Sequence, residues 1–470
     1  MRPLAVVVLS AGEGTRMKSK TPKVLHEIAG LPLLGHVLAT AHSLSAQHVI
    51  AVVRHERQKL EEYIQGHFPS TEIAVQDEIP GTGRAVELAL EVLPGGFDGD
   101  VLILSGDVPL LDVQSVAELI QRHRENAAMG SLISFHAEDP TGYGRILRDR
   151  GSVIGIVEQK DANPDQRAID EVNAGVYVFG YRQLTAALAE VGTANAQSEK
   201  YLTDVVSLLV SQGRVDAHVI TDNWLVAGVN DRVQLSAVAA ELNRRIVTAW
   251  QLAGVSVTEP ATTWIDITVQ LGSDVTLLPG TRLHGLTVIG EDAIIGPDTT
   301  LVDTEVGSAA SITRTSATGS RIGAGANVGP FAYLRPGTIL GSDGKIGAFV
   351  ESKNSIIGDG AKVPHLSYVG DAEIGEGANI GAGTIFANYD GVNKHRSKVG
   401  KHARTGSGNV FVAPVNIGAG AYTAAGSTIR RDVEAGALAL NPAAQKNLAD
   451  WVLQNRPDSK SAAAASEEKN

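Results

Sequence analysis

From residue 289 onward, aliphatic side chains return every six residues. Ile289, Ile295 and Leu301 make one run, Ile322, Val328 and Leu334 a second, and Ile357, Val363 and Val369 a third. Ile374, Ile380, Val399, Phe411, Ile417 and Ile429 continue the pattern, and glycine often follows directly, as at Gly296, Gly358, Gly381 and Gly418. A helix cannot keep one face buried at period six. A coil of very short strands can, with one inward aliphatic per face and a small residue at each corner. A β-solenoid is therefore expected, since a glycine-rich disordered stretch lacks regularly placed aliphatics. Each coil buries little alone, which makes the stack a candidate for self-association. The six-residue count breaks at 384–398, TIFANYDGVNKHRSK, where polar and aromatic residues crowd together. Loops that leave a solenoid often carry function.

Residues 1–230 follow another rule. Strand-like runs at 4–9, 48–53, 101–107 and 224–229 alternate with segments of helical period such as 82–93 and 113–124. That order argues for an α/β domain with a mostly parallel, helix-covered sheet. Between 231 and 254, Val238, Leu242, Ile246 and Trp250 recur every four residues with no interior glycine or proline. The spacing predicts one long helix connecting the two halves. The expected organisation is 1–230, a linker helix at 231–252, the solenoid at 253–452 and a disordered low-complexity tail at 453–470.

Several classes of function are disfavoured. The chain has no cysteine, so disulfides, thiolate metal sites and thiol nucleophiles are excluded, and a reducing cytoplasm suits it. No apolar run reaches the roughly 18 residues that cross a bilayer, and the apolar start lacks a small-residue cleavage site. A formal charge of −12 makes a poor match for nucleic acid or anionic lipid. Phosphorylated small molecules are not excluded, because local charges in a cleft hold them.

Chemistry-bearing residues cluster in both halves. After the first strand comes Ala11-Gly12-Glu13-Gly14-Thr15-Arg16-Met17, then Pro22-Lys23. Glycines let backbone N–H groups approach a phosphate, and Arg16 and Lys23 add positive charge; a plain tight turn is the simpler alternative. Asp107 and Asn230 each end a strand-like run, where parallel sheets place ligands. A carboxylate plus an amide oxygen suits Mg²⁺, although a turn at Asp107 and a helix cap at Asn230 would also account for them. In the second half stand Arg335, Lys353, His365, Tyr368, Asn379, Asn388, Tyr389 and Lys394. The set combines a candidate base, hydrogen-bond donors that could meet an oxyanion, and cations that could meet a phosphate. His365 is the natural base, although a lone histidine is more often a surface or packing residue.

LSAGEGTRM with PK at 22–23, PGTG at 80–83, GD at 106–107, GYGR at 142–145, VEQKDA at 157–162, EVNAG at 171–175 and GVND at 228–231 occur in that order. Together they resemble the amino-terminal domain of the GlmU family of bifunctional N-acetylglucosamine-1-phosphate uridyltransferase/glucosamine-1-phosphate acetyltransferases. VPHLSYVGD followed by NYDGVNK resembles the acetyltransferase domain of the same family, so the resemblance spans nearly the whole chain. It implies a nucleotidyltransferase domain joined to a left-handed parallel β-helix, with UTP, acetyl-CoA and Mg²⁺ in use and a homotrimer formed through the β-helix. Leu9, Ser10, Ala11, Gly12, Arg16 and Lys23 would meet the phosphates, with Arg16 and Lys23 catalytic; Gln76, Gly81 and Thr82 would meet the uracil. Ser105, Gly106, Asp107 and Asn230 would complete that site, the last two as Mg²⁺ ligands, and Gly144, Glu158 and Asn173 would hold the sugar. Ser105 stands where some members carry an aromatic residue. Glucosamine-1-phosphate would meet Arg335, Lys353, Tyr368, Asn379 and Lys394, with His365 as base. Acetyl-CoA would meet Ala382, Asn388, Tyr389, Ser407 and Ala425. Pro442 stands where some relatives have an arginine that touches CoA, so Lys446 or Arg430 is the expected substitute.

Two rival readings remain at this stage. A single-activity sugar-nucleotide pyrophosphorylase with a non-catalytic β-helix would share the glycine-rich loop and PK, but not the His365 and Tyr368 stretch together with the NYDG loop. A trimeric scaffold would leave Lys23, Asp107 and His365 without a common purpose.

Overall fold

The computed structural model describes residues 2–441 and 445–469. The chain forms two compact units, Met1–Leu252 with Trp264–Val269, and Ala253–Thr263 with Gln270–Asn470.

In the first unit a central sheet runs in the order Val215–Val219, Gly130–His136, Glu171–Gly180, Asp100–Ser105, Leu4–Leu9, His48–Val53, Glu72–Val75. Only Glu171–Gly180 along this path is antiparallel to its neighbours. Residues 5–8 and 101–103 are wholly buried, which is why the central strands read as unbroken apolar runs. Val6 and Val8 pack with Leu34, Leu38 and Leu119 on one face. Ala5 and Val7 pack with Val86, Leu184 and Val205 on the other. Helices Leu33–Ser43 and Val113–Glu125 supply the first set, and Thr82–Val92, Tyr181–Glu190 and Thr203–Val210 the second. Leu9 pairs with both Val52 and Ser105, so the carboxyl ends of three strands stop level.

Residues 224–229 are not a strand. Asn223–Val226 is a 3-10 turn opened by Asp222, whose carboxylate accepts from the Trp224 N–H at 3.2 Å. Leu225, Val226 and Val229 are buried, and the Val229 N–H donates to the Asp107 carbonyl at 2.9 Å. Burial alone makes this run apolar, and one backbone bond takes the place of a ladder. The long helix spans Arg232–Leu252.

In the second unit short parallel strands stack into three faces, a left-handed parallel β-helix. One column runs Ile289, Val306, Ile322, Leu340, Ile357, Ile374, Val399, Ile417, each residue in register with the next. Each ordinary step, as from Ile322 to Leu340 or from Ile357 to Ile374, is one circuit of the three faces. Glycine is required at the corners because coils meet there backbone to backbone. A Cβ on Gly358 would lie 2.8 Å from the Glu376 nitrogen, and one on Gly375 2.7 Å from that of Lys401. Threonines at other corners are fully buried and self-satisfied, as where the Thr281 hydroxyl donates to the Leu278 carbonyl at 2.7 Å. The step from Ile374 to Val399 is longer than the others in its column, and the surplus is the polar excursion. It is narrower than the sequence count suggests, because Ile385–Ala387 and Ser397–Val399 both rejoin the ladder.

At the carboxyl end the stretch expected to be disordered carries a helix, Lys460–Lys469. Four consecutive alanines with flanking Lys and Glu are strong helix formers, and low complexity says nothing against that.

Candidate functional site

Where the strands of the first unit stop level, a cavity of about 340 Å³ opens. Leu9, Ser10, Ala11, Gly12, Lys23, Gln76, Gly81, Thr82, Ser105 and Asp107 all line it. Gly106 lies directly beneath, its N–H donating to the Leu9 carbonyl at 2.8 Å. At the mouth the Lys23 ammonium bonds the Asp107 carboxylate and lies 3.4 Å from the Asn230 amide oxygen. Arg16 donates to that same oxygen at 2.9 Å. Two cations and two oxygen ligands from four separated segments therefore meet at one point. Asp107 and Asn230 offer a carboxylate and an amide oxygen, hard donors of the kind Mg²⁺ takes, and a lysine ammonium stands between them as a cation would. Among the described residues no three His, Asp or Glu side chains are placed so that together they could hold a metal ion. A metal here would take the rest of its shell from substrate phosphates and water.

Gly144, Glu158 and Asn173 form a second group. The Asn173 N–H donates to the Gly144 carbonyl at 2.8 Å, and a Cβ on Gly144 would come within 3.5 Å of the Glu158 carboxylate. Burial raises the Glu158 pKa, aided by Asp204, Asp161 and Glu199 and opposed by the Thr203 hydroxyl bonded to it at 3.0 Å. The sequence reading missed Arg54 and His55, which also line the cavity. They follow strand His48–Val53 directly, and the rule that ligands sit beyond the carboxyl ends of parallel strands would have found them. Glu199 was missed too, and nothing in its local sequence signals it.

In the second unit the excursion folds back on the ladder. Asp371 is its anchor, accepting from Asn354 at 2.6 Å and from Asn388. Burial pushes this carboxyl up, but those two amides, with Lys353 and Lys394 nearby, outweigh it and hold the pKa low. Lys394 is itself lowered by Lys353, so the two ammonium groups crowd one spot. Paired cations beside Tyr368 are what a phosphate dianion would relieve. Gly370 makes room for this group, since a Cβ there would meet the Tyr368 hydroxyl at 2.4 Å and the Asn388 amide at 2.7 Å. Arg335 pairs with Glu351 at 2.9 Å, which raises its pKa, and lies near Tyr368. His365 is exposed at the end of strand Lys362–His365, level with Ala348.

Within the excursion Asp390 accepts from the Val392 and Asn393 N–H groups and from His395 at 2.6–2.8 Å, and these bonds hold its carboxyl far below the usual range. Tyr389 is exposed at its tip. Asn379 sits in a bridge column between Lys362 and Arg404. Ala382, Ser407 and Ala425 belong to successive corners: the Gly408 N–H donates to the Ala382 carbonyl, the Gly426 N–H to that of Ser407, and Gly406 closes on Ala425. Arg430 borders a separate cavity with Leu438 and Asn441 at the last coil, and Lys446 is exposed. Pro442 lies outside the described residues.

A level strand edge, a glycine-rich turn and two converging cations define a nucleotidyl transferase, and residues 5–267 match the Nucleotidyl transferase family model. The likeness to known proteins runs further. The Bifunctional protein GlmU of Leifsonia xyli subsp. xyli is 58% identical over 464 residues, 98% of this chain and 96% of its own. That of Clavibacter sepedonicus is 56% identical over 99% of this chain and 94% of its own, and that of Mycobacterium leprae 53% identical over 98% and 95%. The chain belongs to the GlmU family of bifunctional proteins.

Proposed function

We propose that this chain makes UDP-N-acetylglucosamine in two steps, acetylating glucosamine-1-phosphate in its β-helix and then joining the product to UTP in its first unit. What carries this reading is that the family likeness covers both units, each with its own cluster of charged groups. The functional domains are 1–230 and 253–452, joined by the helix at 231–252. Cytoplasmic residence and a homotrimer through the β-helix belong to the same proposal.

In the first step the amine of glucosamine-1-phosphate attacks the acetyl-CoA carbonyl carbon. His365 takes the proton that the nitrogen sheds, the tetrahedral oxyanion collapses, and CoA leaves as thiolate to be protonated. Lys353, Lys394, Arg335 and Tyr368 hold the sugar phosphate, with Asn379 beside them. Asn388, Tyr389, Ala382, Ser407 and Ala425 line the thioester side, and Arg430 or Lys446 meets the CoA phosphates.

In the second step a phosphate oxygen of N-acetylglucosamine-1-phosphate attacks the α-phosphorus of UTP, and pyrophosphate leaves. Leu9, Ser10, Ala11 and Gly12 cradle phosphates, Arg16 and Lys23 neutralise them, and Gly144, Glu158 and Asn173 hold the sugar. Mg²⁺, which Asp107 and Asn230 would hold, supplies charge neutralisation on the triphosphate. Base choice falls to Gln76, whose NH₂ group donates to the Ile79 and Gly81 carbonyls at 3.1 Å each. Its carbonyl oxygen is left as an acceptor, which suits the N3–H of uracil and not the bare N3 of cytosine.

The test is a coupled assay with glucosamine-1-phosphate, acetyl-CoA, UTP and Mg²⁺, each omitted in turn. CoA release should need only the first two, and pyrophosphate release all four. Consumption of neither acetyl-CoA nor UTP would overturn the reading.

A further inference from the structure

Residues 195–203, on none of which the catalytic chemistry depends, touch both ends of the first unit's site. On the nucleotide side, the Lys200 N–H donates to the Pro80 carbonyl at 3.0 Å and the Gly83 N–H to the Lys200 carbonyl at 2.8 Å. The Leu202 N–H donates to the Thr82 hydroxyl at 3.1 Å. Gly81, at φ +116°, packs so closely that a Cβ there would lie 2.3 Å from the Lys200 carbonyl oxygen. The Lys200 ammonium pairs with Glu87 at 2.9 Å, Glu87 with Arg84 at 2.6 Å, and Arg84 with Asp77 at 2.6 Å, beside Gln76. The turn that would read the base is thus held through backbone, side chain and a chain of charges.

The same segment also reaches the sugar side. The Thr203 hydroxyl donates to Glu158 at 3.0 Å, the Ala196 N–H donates to Asp161 at 2.9 Å, and Lys160 bonds Gln197. One side chain shapes the span between these ends. Asn195 accepts from the Gln197 and Glu199 N–H groups at 3.2 Å each and donates to the Glu199 carbonyl at 2.6 Å. That leaves Ser198 in the left-handed region at φ 54°, a conformation a free loop would shed.

We infer that Asn195 is a positioning residue: it fixes the 195–203 bridge so that the base-reading turn at Gly81 and Thr82 and the sugar-binding carboxylate of Glu158 stay in register. The inference builds on the uridylyl-transfer reading above. Loosening the bridge makes each substrate reorder it on binding, which weakens both without changing the reacting groups at Lys23 and Asp107.

The test is steady-state uridylyl transfer by Asn195→Ala and Thr203→Val, with KM measured for UTP and for N-acetylglucosamine-1-phosphate. Asn195→Ala should raise both KM values about tenfold with kcat within about twofold, and the retained kcat shows that the variant folds. Thr203→Val, which cuts only the sugar-side bond, should raise only the sugar phosphate KM. Asn195→Asp keeps the acceptor for the two N–H groups and should fall between. A change confined to one substrate in Asn195→Ala, no change at all, or a fall in kcat at unchanged KM would overturn the bridge. The unmodified protein separates the two claims, since its failure to transfer uridylyl groups would sink the reading of the site and not the bridge alone.

Discussion

The ammonium of Lys23 lies against the carboxylate of Asp107, with the Asn230 amide oxygen 3.4 Å from the same nitrogen. The lysine follows a glycine-rich loop, the aspartate ends a central strand, and the asparagine precedes the long helix, so the fold alone unites them. Both Asp107 and Lys23 side chains are mostly covered, which strengthens their attraction over that of a surface pair.

Replacing the carboxylate should therefore disable one activity only. Asp107→Ala is expected to lower pyrophosphate release from UTP by about 10²–10³-fold or more, from lost positioning and charge neutralisation. Acetyl transfer should continue at the unmodified rate. Parallel assays of pyrophosphate and CoA release check both halves, and undiminished uridylyl transfer would remove Asp107 from the metal site.

The converse variant is His365→Ala. Loss of a general base lowers a rate by about 10²–10⁴-fold. CoA release from acetyl-CoA and glucosamine-1-phosphate, followed with a thiol reagent, should fall by that much. Uridylyl transfer to supplied N-acetylglucosamine-1-phosphate should be untouched. A wild-type rate of CoA release would exclude the imidazole from the reaction.

Much of this architecture was legible because period is set by burial. Ile322, Val328 and Leu334 lie six apart because each points inward from a different face of one coil, a spacing that neither the 3.6 period of a helix nor the alternation of a half-buried strand produces. The same reasoning misled at 224–229, since Leu225 and Val226 are apolar for burial without forming a ladder. Lys23 and Asp107 could be named from local context, a glycine loop and a strand end. Glu199 and Asn195 could not, because their importance lies in what their segment touches far away along the chain, as where Ala196 meets Asp161.

A corner glycine and a helical glycine give stability predictions of opposite sign. A Cβ on Gly375 would stand 2.7 Å from the Lys401 nitrogen, backbone that cannot rotate away. Gly375→Ala should destabilise the β-helix by about 1–3 kcal/mol, as overpacking does elsewhere. Gly66, in helix Arg57–His67, has nothing within 4 Å of its missing Cβ. Gly66→Ala should stabilise the first unit by about 0.4–1 kcal/mol through the unfolded state. Denaturant midpoints for the two variants check this, and equal shifts of one sign would refute the corner argument.

Acid should weaken the first unit through two buried histidines. His123 is 2% exposed, with Nδ1 3.0 Å from the Ser131 hydroxyl, and His36 is 6% exposed, its Nε2–H donating to the Ile28 carbonyl at 2.9 Å. Burial lowers both pKa values; at His123 the Asp100 carboxylate, 4.0 Å from Nε2, pulls the other way, as does Asp216, while Arg2 and Arg124 add to the lowering. A lowered pKa means that the folded state holds its proton less tightly than the unfolded one. Stability is then complete above the ordinary histidine value near 6.5 and falls as the pH drops below it, by up to about 1.4 kcal/mol per pH unit for each histidine. Heat inactivation of uridylyl transfer, with samples heated at pH 7.5 or 5.5 and assayed at one common pH, should show a lower midpoint at pH 5.5. His123→Gln, which cannot take up a proton, should narrow that gap. An equal gap in the variant would show that His123 is not one of the groups through which acid acts.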